Sequence, residues 1–202
     1  MNRIGEGAEA VIYKTMFMSE SAILKRRIEK SYREPSIDSA LRRQRTKNEA
    51  RALAASANAG VPSPTVFLVT EYEILMSEMK GVMLSKRDMK SGKERRSIMH
   101  EIGHIAAELH NARVAHGDFT PANIIVSGGH AAVIDFGLAT MLPTAEDKAM
   151  DLVLMKRAVA KDDYHIIESS YRKRCADAAK VIRRLNSIER RGRYKARTLD
   201  TA

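Results

Sequence analysis

Two short stretches, with the Asn of the first twelve residues before the Asp of the second, constrain this chain more than any other feature. The first is His116-Gly117-Asp118-Phe119-Thr120-Pro121-Ala122-Asn123, and the second is Ile134-Asp135-Phe136-Gly137. Asp118 and Asn123 fall on what reads as a loop. Between Asn123 and Asp135 lie the apolar run Ile124-Ile125-Val126 and a Ser127-Gly128-Gly129 turn. Two short strands joined by that turn would bring Asn123 and Asp135 side by side. Two oxygen donors so placed suit magnesium, which takes a few protein ligands and fills its shell with phosphate oxygens and water. A lone Asp before Gly is commonly just a turn residue; the ordered pair of motifs at this spacing is far more specific.

The pattern H-x-D-x-x-x-x-N followed by D-F-G resembles the protein-kinase catalytic signature, with Gly117 where an Arg stands in that signature. In this reading Asp118 is the catalytic base and Asn123 and Asp135 hold magnesium. Two upstream features agree. Gly5-Glu6-Gly7-Ala8-Glu9-Ala10, with Ile12 after it, is a glycine turn whose backbone N–H groups can approach phosphates closely. Ala22-Ile23-Leu24-Lys25 resembles the strand that carries the phosphate-binding lysine. Such a lysine needs a carboxylate to position it, and Glu49 is the choice because it falls on a predicted helix. Glu34 competes, but it precedes a proline and reads as loop. Met76 would back an adenine pocket, with the Ser77 carbonyl and the Met79 N–H facing the purine edge.

The 202 residues suffice for one substantial core or two small lobes. No apolar run reaches the length of a membrane span. The start of the chain does not read as a signal peptide, and a single cysteine, Cys175, excludes an internal disulfide framework. A cytoplasmic location is the expectation. The net charge of +10 makes a polyanionic partner plausible, although charge alone equally fits a merely soluble basic surface.

Residues 1–30 read as strands, 40–58 as a helix ended by Gly60, and 65–69 and 71–77 as strands. Residues 94–112 read as a helix with Ile98, Ile102, Ile105, Ala106 and Leu109 on one face. Residues 145–160 and 162–190 read as two more helices. The expected fold is α+β, a minimal two-lobed kinase-like architecture. Residues 1–79 make a small strand-rich N-lobe, 80–202 a shortened helical C-lobe, and Ser77 to Lys80 the hinge. From about residue 187 the chain reads as a flexible basic arm carrying Arg190, Arg191, Arg193, Lys195 and Arg197.

Beyond the general motifs, three features resemble the small atypical kinase subunit of the KEOPS complex. They are the Gly7-Ala8-Glu9-Ala10 loop, the stretch from Lys25 through Arg33-Glu34-Pro35 to Asp38, and Arg45-Thr46 leading to Glu49-Ala50-Arg51. His116-Gly117-Asp118 with Thr120, and Glu146 to Leu152, also match that family's form. The resemblance runs from residue 4 to about 195. It implies a protein that binds ATP and magnesium, acts as a weak Ser/Thr kinase and as an ATPase, and supports threonylcarbamoyladenosine formation on tRNA. It further implies docking on the transferase subunit and on a small helical subunit, with tRNA contact through the basic arm and no membrane. Three departures from ordinary kinases count against efficient phosphorylation of protein substrates. There is no A-P-E after Asp135-Phe136-Gly137, Thr120 replaces a lysine, and Gly117 replaces an arginine. Two alternatives stay open at this point: a free-standing RIO-like Ser/Thr kinase and a small-molecule phosphotransferase.

Overall fold

The computed structural model describes residues 1–88 and 92–199, with side chains through Arg191. Five antiparallel strands form the first layer: β1 (Asn2–Glu6), β2 (Ala10–Phe17), β3 (Glu20–Arg27), β4 (Val66–Val69) and β5 (Glu73–Ser77), in the order β1-β2-β3-β5-β4. Alternation sends Ile74 and Met76 of β5 into the core on the face that carries Lys25, and buries Ala22 and Leu24 of β3 on the other face. The β2–β3 hairpin closes through Met18 and Ser19, at φ +46° and +67°, the left-handed pair that matches the twist of a two-residue hairpin.

Helix α1 (Pro35–Asn58) crosses this sheet. It begins earlier than the predicted residue 40, because Glu34 caps it by accepting from the Ser36 and Ile37 N–H groups at 3.1 and 2.9 Å, and Pro35 suits the first turn. Its buried face carries Asp38, Thr46, Glu49, Leu53 and Ser56, a polar set for a helix face. Buried acids at these positions require cations opposite them, and the cations decide where α1 sits.

The second layer is mostly helical. Helix α2 (Lys93–Asn111) buries the predicted apolar stripe, α3 (Ala145–Ala158) and α4 (Lys161–Arg174) pack against it, and α5 (Ala178–Leu199) packs on α3 and α4. Between them lie a three-stranded sheet of β6 (Val82–Met83), β8 (Ile124–Ser127) and β9 (His130–Val133), and the pair β7 (Val114–Ala115) with β10 (Thr140–Met141). The β8–β9 hairpin is the one anticipated across the Gly128-Gly129 turn, and it pairs Ile124 with Val133.

The structure corrects two expectations. Residues 162–190 are two helices, broken at Cys175, whose ψ is +124°. The Asn111 side chain holds both ends of the break, donating to the Arg174 carbonyl and accepting from the Ala176 N–H, each at 3.0 Å. No glycine or proline marks that break. In addition, the basic arm is helical backbone through Leu199 and continues α5. The side chains of Arg193, Lys195 and Arg197 lie outside the described residues, whereas Arg190 and Arg191 are exposed.

Helices α2 and α4 approach closely at Gly103. A Cβ there would lie 2.4 Å from the Ile167 carbonyl oxygen and 2.7 Å from the Ser170 Cβ. Gly103→Ala should therefore lower stability by about 1–3 kcal/mol through overpacking, despite the better helix propensity of alanine. Urea unfolding measures this; unchanged or raised stability would contradict the packing described.

Candidate functional site

Strand β3 delivers Lys25 to the cleft between the two layers, where its side chain is 9% exposed. Its ammonium donates to Glu49 Oε1 at 2.6 Å and to Asp135 Oδ1 at 2.7 Å. Glu49, chosen above on helix position alone, is thus the lysine's partner, with 1% of its side chain exposed. One cation joins β3, α1 and the segment after β9. Breaking such a buried pair by removing one member costs about 3–5 kcal/mol, because the other charge is left bare.

Asp135 has φ +61°, an uncommon region that Asp tolerates better than most residues. Its Oδ1 also accepts the Gly137 N–H at 3.1 Å, which fixes the turn. Surrounding protein favours the neutral form of this carboxyl. The Lys25 charge and hydrogen bond outweigh that and hold it below the usual carboxylate range. Phe136, the next residue, is buried with its ring 4.9 Å from that of His116.

The Asp118 loop is fastened from below. Asp151 on α3, 1% exposed, accepts from the His116 and Gly117 N–H groups at 2.6 and 2.8 Å and contacts His110 Nε2 at 3.2 Å. His116 Nδ1 accepts the Asp118 N–H at 3.2 Å, so its Nε2–H donates to the Ile134 carbonyl at 3.0 Å. One imidazole therefore spans the two motifs. Asn123 donates to the Asp118 carbonyl at 2.9 Å and to its Oδ2 at 2.8 Å, while the Ile134 N–H reaches the Asn123 carbonyl at 2.9 Å. These contacts bring Asp118, Asn123 and Asp135 together on one wall. Gly117 has φ +80°, and a Cβ on it would lie 2.2 Å from the Leu138 carbonyl oxygen. An arginine cannot occupy that position in this backbone.

Opposite lies the glycine turn. The Gly7 N–H closes it on the Ala10 carbonyl at 2.9 Å. Glu9 reaches toward α1, pairing with Arg33 at 3.3 Å and with Arg45. The Arg45 hydrogen bond prevails over partial burial and lowers the Glu9 carboxyl below its ordinary range. Arg33 also reaches Asp38, at 3.5 Å, so the turn is tied to the start and the middle of α1. Gly5 to Ala10 line a space of about 420 Å³ shared with Lys25, Asp118 and Asp135. An adjoining cavity of about 380 Å³ has Ile12, Ile23, Leu53, Met76 and Ile134 as apolar walls, and Ser77 and Met79 at its rim. The Ser77 N–H is taken by the Thr65 carbonyl at 2.9 Å. Among the described residues the Met79 N–H has no hydrogen-bond partner within the chain.

A family model described as "RIO domain" matches residues 7–181. The chain belongs to the RIO-domain family. Within it, the chain belongs with relatives of the Bud32 type. It is 36% identical to "KEOPS complex subunit Bud32" of Pyrococcus abyssi over 98% of each chain. It is 33% identical to the "Probable bifunctional tRNA threonylcarbamoyladenosine biosynthesis protein" of Methanothermobacter thermautotrophicus, over 95% of this chain but only 36% of that protein. It thus spans little more than a third of that relative's length. Two solved structures share the fold. "WaaP in complex with acyl carrier protein" superposes with a TM-score of 0.66 at 13% identity, covering 94% of this chain and 88% of that one. A Chaetomium thermophilum Rio2 kinase complex superposes at 0.64 with 17% identity, covering 96% and 70%. The fold is protein-kinase-like, as the motifs implied.

Three residues around the RIO-domain cleft escaped sequence reasoning as site residues. Arg27, 5% exposed, donates to Glu49 Oε2 at 2.5 Å. Its signal was its place two residues after Lys25, on the same face of a strand. Glu78 at the cavity rim pairs with Lys14 at 2.7 Å and Ser21 at 2.6 Å, fixing the segment after β5. Asp151 had no local signal beyond its place in the resemblance.

The depressed Asp135 carboxyl gives a pH prediction. Its contact with Lys25 stabilises the fold above the unfolded carboxyl pKa of about 3.9 and is lost as pH falls through the lower folded value. Half of the Asp135 side chain is exposed, 53%, so screening limits the effect to about 0.5–1 kcal/mol. Wild type should therefore exceed Asp135→Asn in stability at pH 7, and the margin should shrink steadily as pH falls below about 4, as urea titrations across that range would show. A margin independent of pH would remove the ion pair from the account.

Proposed function

We propose that this chain is an ATP- and magnesium-dependent phosphotransferase, an atypical Ser/Thr kinase that also hydrolyses ATP, working as a subunit of the KEOPS complex in threonylcarbamoyladenosine formation next to the tRNA anticodon. The observation that carries the reading is the Lys25 ammonium shared between Glu49 and Asp135, facing Asp118 and Asn123 across one cleft.

The donor chemistry fits magnesium. The Asn123 amide nitrogen is committed to Asp118, leaving its oxygen without a partner among the described residues, and Asp135 Oδ2 is likewise open. Asn123 and Asp135 would hold the ion through hard oxygen donors. Bound there, magnesium neutralises phosphate charge. The other roles belong to the chain itself. The glycine turn from Gly5 through Gly7 to Ala10, with Glu6, Ala8 and Glu9, covers the phosphates with backbone N–H groups. Ile12 and Met76 enclose the base, and the Ser77 carbonyl and Met79 N–H address its edge. Lys25 turns an N–H from Asp135 to a phosphate while Glu49 keeps it in place. Asp118 Oδ2 is occupied by Asn123, so Oδ1 is the atom that takes or orients the proton of the attacking hydroxyl or water. Positioning and charge supply most of what phosphoryl transfer requires, and this set of groups provides both.

Membership in the complex rests on the Bud32 relatives. The proposed partners are the threonylcarbamoyl transferase subunit and the small helical subunit, with tRNA phosphates met by Arg190, Arg191, Arg193, Lys195 and Arg197. No described helix is long and apolar enough to cross a membrane, and the proposed location is cytoplasmic. The lobe boundary near residue 79, with Ser77 to Lys80 as hinge, is part of the same proposal.

The test is release of γ-phosphate from labelled ATP with magnesium, with and without the transferase subunit and tRNA. Release should be stimulated by the partners. It should fall about 10²-fold or more in Asp118→Asn with ATP binding retained, and be abolished in Lys25→Ala and Asp135→Ala. Label passing to a protein or small molecule, indifferent to the partners, would favour a free-standing RIO-like kinase or a small-molecule phosphotransferase.

A further inference from the structure

Four charged groups meet at the floor of the cleft. Glu49 offers one oxygen to each of two cations: Oε1 to Lys25 at 2.6 Å and Oε2 to Arg27 at 2.5 Å. Asp135 is the second carboxylate on Lys25, at 2.7 Å. The side chains of Glu49, Arg27 and Lys25 are 1%, 4% and 9% exposed, so water balances little of this charge. With Arg27 present the cluster is neutral. Without it a single ammonium would sit between two carboxylates, and the deeper one would keep an unpaired oxygen. That lysine would still have a third N–H to give, but its single charge would then be shared among three anions and the buried Glu49 would be left under-neutralised, a cost of several kcal/mol.

Arg27 is built to stay. It ends β3, its N–H donates to the Tyr72 carbonyl at 2.8 Å, and it pairs in register with Ala10 at the end of the glycine turn. It lies on the same side of β3 as Lys25. A planar guanidinium fixes the plane of a carboxylate as an ammonium does not. A Cβ on Gly137 would lie 3.2 Å from Lys25 Nζ and 3.8 Å from Arg27 Nη2, so the turn after Asp135 packs directly over both cations.

We infer that Arg27 is a positioning residue that neutralises Glu49 and so keeps Lys25 available to a nucleotide phosphate. This rests on the reading of the cleft as an ATP site. Arg27 acts through Glu49 and need not touch the nucleotide. A purely structural tie between β3 and α1 would affect stability without this charge coupling.

The experiment measures Mg-ATP dissociation constants by calorimetry, with thermal unfolding alongside, for wild type, R27Q, R27K, E49Q, R27Q/E49Q and K25A. R27Q is expected to weaken binding about tenfold or more, with R27K between it and wild type. The double variant should bind no worse than E49Q alone, because the neutral amide of E49Q leaves no charge for Arg27 to balance. If R27Q does not fold, R27K and the double variant, which loses one charge of each sign, carry the comparison. Penalties that multiply in the double variant would overturn the inference, as would wild-type affinity in R27Q when K25A has lost binding. Wild-type affinity in K25A would instead overturn the ATP-site reading itself.

Discussion

The ammonium of Lys25 is the point on which the two layers agree. A cation 9% exposed must have counter-charges. It finds one on α1 and one on the turn after β9, so the sheet, its crossing helix and the second layer converge on one nitrogen. The polar buried face of α1 follows from this. That helix is positioned less by an apolar stripe than by Glu49 meeting Lys25 and Arg27 on β3, and Arg45 meeting Glu9 of the glycine turn. The conversion of charge into position also shapes the glycine turn, whose Glu9 is tied to Arg33 and Arg45. Each carboxylate there has a defined cationic partner, which fixes geometry more narrowly than apolar packing would.

The opposite wall depends on backbone groups. Asp151 takes two successive N–H groups of the Asp118 loop, and His116 links that loop to the Ile134 carbonyl. Together with the β8–β9 register they fix Asp118, Asn123 and Asp135 relative to one another without any bound ion. Gly117 belongs to this wall: the close Leu138 carbonyl leaves no room for a side chain. The arginine that an ordinary kinase loop carries at this position is thus excluded here by the backbone path, which brings the short segment after Gly137 back against the loop. Little chain remains there for docking an extended peptide.

Much of this was legible because each element signals locally. The apolar spacing in α2, the glycines between β8 and β9, and Gly60 after α1 with φ +70° all act within a few residues. Glu49 could be chosen over Glu34 because a proline follows Glu34, and the structure makes Glu34 the cap of α1. What escaped depends on distant partners. The break between α4 and α5 is held by Asn111 on another helix, so nothing near Cys175 announces it. Arg27 and Asp151 carry no motif of their own; each matters for the group it meets across the fold, and spacing along the chain does not encode that. The helical continuation of the basic arm was missed because loss of apolar periodicity was taken as loss of helix, whereas a helix followed outward from a packed segment can continue without an apolar face.

The most direct test of the central claim is a crystal structure of this chain with manganese in place of magnesium and a non-hydrolysable ATP analogue. The account predicts the metal's anomalous signal between Asn123 and Asp135, with Lys25 still on Glu49 but turned from Asp135 to a phosphate oxygen. A nucleotide bound outside the cleft, or Lys25 still paired with Asp135 and no phosphate against it, would contradict it.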